Sequence, residues 1–243
     1  NAKIGKDVKI HPFCYIAENV EIGDGCEIGP NAVIYDYVKM GKNCKVFPGA
    51  VVGGIPQDLK FSDEVSYVEI GDNVTIRECA TINRGTAASG KGKTVIGNNT
   101  LVMSYAHVAH DCEVGNNCIL VSYVGIAGET VVDDWAIIGG SSVAHQFSNV
   151  GTHAMIAGGS RIGKDVPPYA LAGKYPLSYC GINIVGLRRR GFTIDQIERI
   201  KEIYKTYNSD NKLSRDVIDI CSFLDQALSA SEYNSFEMVF KCM

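Results

Sequence analysis

The sequence predicts a mainly β fold: a coil of short strands wound as a triangular prism, followed by a small α-helical domain. Three observations predict it. An aliphatic residue recurs at every sixth position, and from Ile96 the series runs through Val102, Val108, Val114, Leu120, Ile126, Val132, Ile138, Ala144, Val150 and Ile156 to Ile162. A period of six fits neither the 3.6-residue helix nor a strand alternating by twos. It is the mark of a hexapeptide β-helix, in which each unit forms one flat side and three units make a coil. Second, the fifth place of each unit is small or modest, as at Val8, Val20, Cys26, Ala32, Cys44, Ala50, Val74, Ala80, Thr100 and Ala106. The aliphatic residue fills the axis and the small one lets the coil turn. Third, the composition changes after residue 190, where helical spacing replaces the repeat.

Along the chain, the prism covers residues 1–168. A first run holds Ile4, Ile10, Ile16, Ile22, Ile28, Ile34, Met40, Val46 and Val52, and a short one holds Ile70, Ile76 and Ile82. Two stretches depart from the repeat, residues 53–67 (GGIPQDLKFSDEVSY) and 83–94 (NRGTAASGKGKT). Val52 and Ile70 lie 18 apart, so the first is expected to replace one coil's length in register. Ile82 and Ile96 lie 14 apart, so the second is expected to shift the register. Loops that leave a regular scaffold often carry function. The repeat ends near Val166-Pro167-Pro168, and residues 169–190 read as a connector. In the helical domain, 191–243, Thr193 with Gln196 reads as a capping box. It opens a helix over about 194–207, with an apolar stripe of Ile194, Ile197, Ile200, Ile203 and Tyr204. A second helix is expected from the Ser214 cap, presenting Val217, Ile220, Phe223 and Leu224, and a third over about 233–241.

With 243 residues, 46% hydrophobic and 21% charged, the chain can bury a sizeable core. A formal charge of −4 gives no reason to expect nucleic acid binding. No apolar run reaches the roughly 18 residues of a membrane span, and no signal peptide opens the chain. The nine cysteines include no CxxC pair, and Cys26, Cys44, Cys112 and Cys118 take fifth places. That pattern fits buried reduced thiols in a cytoplasmic protein. Flat sides rich in aliphatic residues favour pairing between subunits, and a three-sided prism invites a trimer.

Residues 18 apart stack, so the chain can be read in columns. One column holds His110, Gly128, Gln146 and Lys164, with His145 beside it, Asp111 and Glu129 following, and His107 close by. His110 and Gln146 are two coils apart, roughly 9–10 Å at the usual strand spacing. Clustered imidazoles leave two chemistries open, a general base oriented by an acidic neighbour or a metal site. The column geometry places no third ligand. Gly128 reads either as a corner glycine or as a place where a substrate meets the backbone and its N–H serves as an oxyanion donor. Ser104, Ser122, Gly140 and Gly158 form a column of small residues, which is either a groove for a long apolar chain or plain coil packing. Arg188 to Arg190 read as a solvated basic turn or as a phosphate-binding cluster.

The motifs AHVAHDC (106–112), AHQF (144–147), DVPPY (165–169) and GLRRRGF (186–192), with QDLK (57–60) and NRGT (83–86), resemble those of the UDP-N-acetylglucosamine O-acyltransferase family over essentially the whole chain. The resemblance implies a left-handed parallel β-helix, an exception to the usual crossover hand, assembled as a homotrimer with sites between subunits. It implies transfer of an (R)-3-hydroxyacyl group from acyl carrier protein to the 3-hydroxyl of UDP-N-acetylglucosamine, the first step of lipid A synthesis. The acyl donor rides on the carrier's phosphopantetheine, and the enzyme itself uses no cofactor or metal. On the same footing His110 is the general base, Asp111 supports it, and the Gly128 N–H holds the oxyanion. Gln57, Asp58, Lys60, His107, His145, Gln146, Asn183, Arg189 and Arg190 match the nucleotide-sugar positions, and Gly158 matches the position limiting acyl length, where glycine leaves room for a long chain. The basic cluster could also attract the acidic carrier.

Two positions depart from the family pattern: Glu129 stands where histidine is usual, and Val185 where glutamate is. The rival readings are the related N-acyltransferase of lipid A synthesis, which normally carries an extra N-terminal domain, a trimeric γ-type zinc carbonic anhydrase, and a non-enzymatic scaffold solenoid.

Overall fold

A computed structural model describes residues 1–209 of the chain. Most strands are two residues long, and they assemble into three parallel sheets that form the sides of a prism. The first sheet starts at Lys3–Ile4, the second at Lys9–Ile10 and the third at Tyr15–Ile16, after which the chain returns to the first at Glu21–Ile22. Register follows the period of 18, as in Val108↔Ile126 and Ile126↔Ala144. The aliphatic column points inward: Ile28, Ile34, Ile76, Ile138 and Ile156 are wholly buried. Each such side chain contributes about 1.5–3 kcal/mol by leaving water.

The corners need a backbone that ordinary residues avoid. Asn43, Asn73, Asn99 and Asn117 take φ between 54° and 58° at the corner joining the first sheet to the second. Asparagine tolerates this left-handed region because its short amide can bond locally. One position earlier, carboxylates and amides cap the coil below: Asp134 Oδ1 accepts from Asn116 N at 2.6 Å, and Asn116 Oδ1 from Asn98 N at 2.8 Å. The corner amides themselves donate to the preceding coil, as Asn117 N does to Asn98 O. Backbone donors that no ladder serves are thereby satisfied.

The first departure from the repeat corrects an expectation. Val52 lies on the third sheet and Ile70 on the first, so they share no face. Ile70 pairs with Met40, 30 residues back instead of 18, so the loop inserts twelve residues and the coil resumes on its next side. Likewise Ile96 pairs with Ile70, 26 residues back, and the second loop inserts eight. Both insertions leave the prism at the corner between the third and first sheets. Spacing alone misled because 18 is also one hexapeptide step plus an insertion of twelve.

The outward faces differ in chemistry. Beside the inward column of the first sheet run the ion pairs of Lys3 with Glu21 and Lys93 with Glu69, and Lys91 of the second insertion pairs with Glu113. On the second sheet the outward positions from the fifth coil upward are Leu101, Ile119, Ile137, Met155 and Leu171, all half-buried.

The stretch expected as a connector is structured. Ala170–Gly173 extends the second sheet in parallel and turns back as Ser178–Ile182. Helix α1 (Ile184–Arg189) follows, then α2 (Ile194–Ser209). The capping box is present: Thr193 N donates to Gln196 Oε1 and Gln196 N to Thr193 Oγ1. Ile197, Ile200, Ile203 and Tyr204 pack with Tyr169, Ile182 and Leu187 in a second small core. Ile194 is 71% exposed, so the stripe begins one turn later than expected. The helices expected from Ser214 and over 233–241 lie outside the described residues. Cys26, Cys44, Cys112 and Cys118 are free and buried, while Cys79 and Cys180 are free and exposed.

Candidate active site

The corner between the third and first sheets gathers the chemistry. His107 opens the strand His107–Val108 of the third sheet, and His110 lies on the turn that follows. His110 Nδ1 lies 2.8 Å from Asp111 Oδ2. A carboxylate only accepts, so Nδ1 carries a proton, and in the neutral imidazole Nε2 is the nitrogen left with a lone pair. His110 is 8% exposed and Asp111 is wholly buried.

A buried carboxylate needs partners, and the second insertion supplies them. Asp111 Oδ1 accepts from Thr86 N at 2.8 Å and from Ser89 Oγ at 2.7 Å; Oδ2 accepts from Thr86 Oγ1 at 2.8 Å. The Asp111 N–H donates to Thr94 Oγ1 at 2.8 Å. Four hydrogen bonds to the carboxylate, the imidazole included, fix its orientation and that of His110. Sequence reading missed Thr86, Ser89 and Thr94. The polar composition of residues 83–94 marked the loop, but no spacing rule linked it to Asp111.

Gly128 lies one coil above His110. A Cβ there would come within 2.5 Å of His110 Cε1 and 2.6 Å of Nε2, so only glycine leaves the imidazole in place. Gln146 is one coil higher again, with the turns linked by Glu129 N donating to His110 O and Phe147 N to Gly128 O. His145 and Gln146 are exposed, and His145 Nδ1 donates to the Gln146 carbonyl at 3.1 Å. Both line a groove of about 620 Å³ together with Lys164, Tyr175 and Leu177. His107 shares a 2.7 Å hydrogen bond with Thr81 Oγ1. Burial, and then the neighbouring His110, hold its pKa below the usual histidine value. Gln57, Asp58 and Lys60 lie on the first insertion at this corner, where the Asp58 carboxylate accepts from Lys60 N at 2.9 Å. Glu129 is half-buried here. Among the described residues no three His, Cys, Asp or Glu side chains are grouped so as to hold a metal ion.

The remaining predicted residues lie elsewhere. Asn183 and Arg190 flank α1 and pack on the corner between the first and second sheets, where Asn183 Nδ2 donates to His153 O at 2.9 Å. Asn183 is 7% exposed and its Oδ1 accepts from Gly186 N, capping α1. Arg189 and Val185 are exposed. Gly158 lies at the third corner, between the second and third sheets, where its Cβ would come 3.1 Å from Gly140 O. The chain therefore distributes the predicted residues over all three corners.

A three-sided parallel coil of hexapeptide units is the architecture of the bacterial transferase hexapeptide class. Residues 1–36 and 93–128 match the model of the bacterial transferase hexapeptide repeats, and residues 165–237 match that of domain 2 of UDP-N-acetylglucosamine O-acyltransferase. The chain is 48% identical to the UDP-N-acetylglucosamine acyltransferase of Bacteroides fragilis, with TM-score 0.87, 96% of this chain and 90% of that one covered. Against the Francisella novicida enzyme the identity is 39% and the TM-score 0.80, over 92% and 88% of the two chains. Among curated relatives, the acyl-[acyl-carrier-protein]–UDP-N-acetylglucosamine O-acyltransferase of Xylella fastidiosa is 47% identical over 156 residues, 64% of this chain. That match spans 59% of the relative's own length. The chain belongs to the UDP-N-acetylglucosamine O-acyltransferase family.

Proposed function

We propose that this chain transfers an (R)-3-hydroxyacyl group from acyl carrier protein to the 3-hydroxyl of UDP-N-acetylglucosamine, the first step of lipid A synthesis, in the cytoplasm. The observation that carries the mechanism is the buried His110–Asp111 pair. Nε2 of His110 removes the sugar hydroxyl proton as that oxygen attacks the thioester carbonyl. Asp111 stabilises the imidazolium that forms. The Gly128 N–H, which no backbone carbonyl engages among the described residues, donates to the developing oxyanion. Collapse of the intermediate breaks the carbon–sulfur bond, and the imidazolium returns its proton to the phosphopantetheine sulfur. No acyl-enzyme forms, so the cysteines take no part.

The nucleotide sugar is held by Gln57, Asp58, Lys60, His107, His145 and Gln146 of one protomer and by Asn183, Arg189 and Arg190 of a neighbour, in a homotrimer. Two features support this. Asn183, Arg189 and Arg190 sit on a different corner from His110, and the outward apolar stripe from Leu101 to Leu171 is the face with least to gain from water. The exposed Arg188 and Arg189 suit the acidic carrier. Gly158 and Gly140 leave a smooth path for a long acyl chain, and a preference for ten carbons or fewer among competing carrier-bound chains would defeat that part.

The test is an assay with UDP-N-acetylglucosamine and hydroxyacyl carrier protein, which also separates the N-acyltransferase, carbonic anhydrase and scaffold alternatives. His110→Ala should lower turnover by roughly 10²–10⁴-fold, the usual worth of a general base; it also takes one donor from the buried Asp111 carboxylate, so a stability loss of about 1–3 kcal/mol should accompany it. A fully active variant sinks the general-base assignment.

A further inference from the structure

At the corner between the first and second sheets, aromatic rings stack coil upon coil. Trp135 and His153, one coil apart, have ring centroids 5.9 Å apart and planes within 4°. His153 and Tyr169 continue the stack at 5.6 Å and 13°. Phe192, just after α1, meets the His153 ring edge-on at 5.0 Å. Arg190 closes the group: its guanidinium carbon lies 5.3 Å from the centre of the Trp135 ring, and its Nη1 is 3.0 Å from His153 Nδ1. A guanidinium only donates, so His153 Nδ1 is the acceptor and the ring proton sits on Nε2. Burial, and then the Arg190 charge, hold the His153 pKa down at about 3, which keeps that acceptor available. The histidine backbone is itself tied to Asn183, the cap of α1.

We propose that His153 is a positioning residue for the diphosphate of the nucleotide: by accepting one Arg190 N–H while Trp135 covers a face of the guanidinium, it presents the remaining donors of Arg190 in a fixed plane. This rests on the reading of Arg190 as a diphosphate ligand. A free arginine must lose rotamer freedom when it binds phosphate, and an arginine already clamped by a ring and an acceptor has lost it beforehand. Among the described residues, its exposed neighbour Arg189 has no such clamp. The tandem arginines therefore differ in role: Arg190 is the pre-set fork and Arg189 the adaptable charge.

The experiment is calorimetric binding of UDP and of uridine to the full chain, with steady-state kinetics alongside. His153→Phe keeps the stack and removes the acceptor; His153→Asn keeps an acceptor near the Nδ1 position and removes the ring. Expected for His153→Phe are UDP binding weakened about tenfold, uridine binding unchanged, and KM for the nucleotide sugar raised with kcat little altered, the pattern of lost uniform binding. His153→Asn should restore most of the affinity. In the His153→Phe/Arg190→Ala double variant, UDP should bind no more weakly than to Arg190→Ala alone, because the two act as one unit. Wild-type UDP affinity in His153→Phe, or fully additive losses, overturns the positioning role while leaving Arg190 as a ligand. Unchanged UDP affinity in Arg190→Ala overturns the diphosphate reading itself, and this proposal with it.

Discussion

Thr94 Oγ1 accepts the Asp111 N–H at 2.8 Å, where the equivalent amide one coil above, Glu129 N–H, donates to the His110 carbonyl. The second insertion has removed the regular main-chain acceptor beneath Asp111 and put a threonine hydroxyl in its place. The same loop brings Thr86 and Ser89 to the carboxylate. A break in the repeat is thus the device that fixes the His110 imidazole.

Thr86→Val removes one hydroxyl donor from a wholly buried carboxylate. The loss should cost about 1–3 kcal/mol of stability and lower kcat by roughly tenfold or more, because the imidazole loses its fixed orientation. Denaturant unfolding and steady-state kinetics check both. Unchanged kcat would show that Asp111 needs only its remaining partners.

Gly128→Ala places a methyl group where the His110 ring lies, 2.5 Å from Cε1. Either the imidazole or the coil must shift, and a misplacement of about 1 Å can cost 10²-fold in rate. Activity should fall far more than thermal stability. An active Gly128→Ala enzyme would require the imidazole to work from another rotamer.

Acid should loosen the packing of the helical end on the prism. His153 titrates near ~6.5 when unfolded but is held at about 3 in the folded chain. Its folded pKa is the lower one, so the unfolded state binds the proton first. The contribution of neutral His153 to stability is complete above pH ~6.5 and is lost between ~6.5 and ~3, at up to ~1.4 kcal/mol per pH unit. His153→Phe should flatten that part of the stability–pH curve; an identical slope in the variant would remove His153 as its source.

Subunit mixing tests whether the site is shared. His110→Ala and Arg190→Ala alter different corners, so in the homotrimer proposed above a mixed assembly of the two would rebuild sites from one intact corner of each. Random mixing should restore about a quarter of the sites, as a heterologous interface requires. Co-expression of differently tagged chains, assayed at low UDP-N-acetylglucosamine, measures it, and no activity above the two parents would place the site within one protomer.

The sequence by itself determined the prism, its inward column, the capping box at Thr193 and the stacking of His110, Gly128 and Gln146. Each of these follows from a local spacing: three residues for the capping box, and 18 for a coil partner wherever no loop is inserted, so spacing alone fixes the contact. The loops and the helical end follow no such rule. Only the tertiary structure decided that Val52 and Ile70 lie on different sheets, that Thr86, Ser89 and Thr94 hold Asp111, and that Arg190 rests on Trp135 and His153. Those contacts join segments of unrelated spacing, and they depend on side-chain shape and on which buried polar groups still lack a partner. A repeat encodes its own register; what it carries at its corners is settled by hydrogen-bond satisfaction in three dimensions.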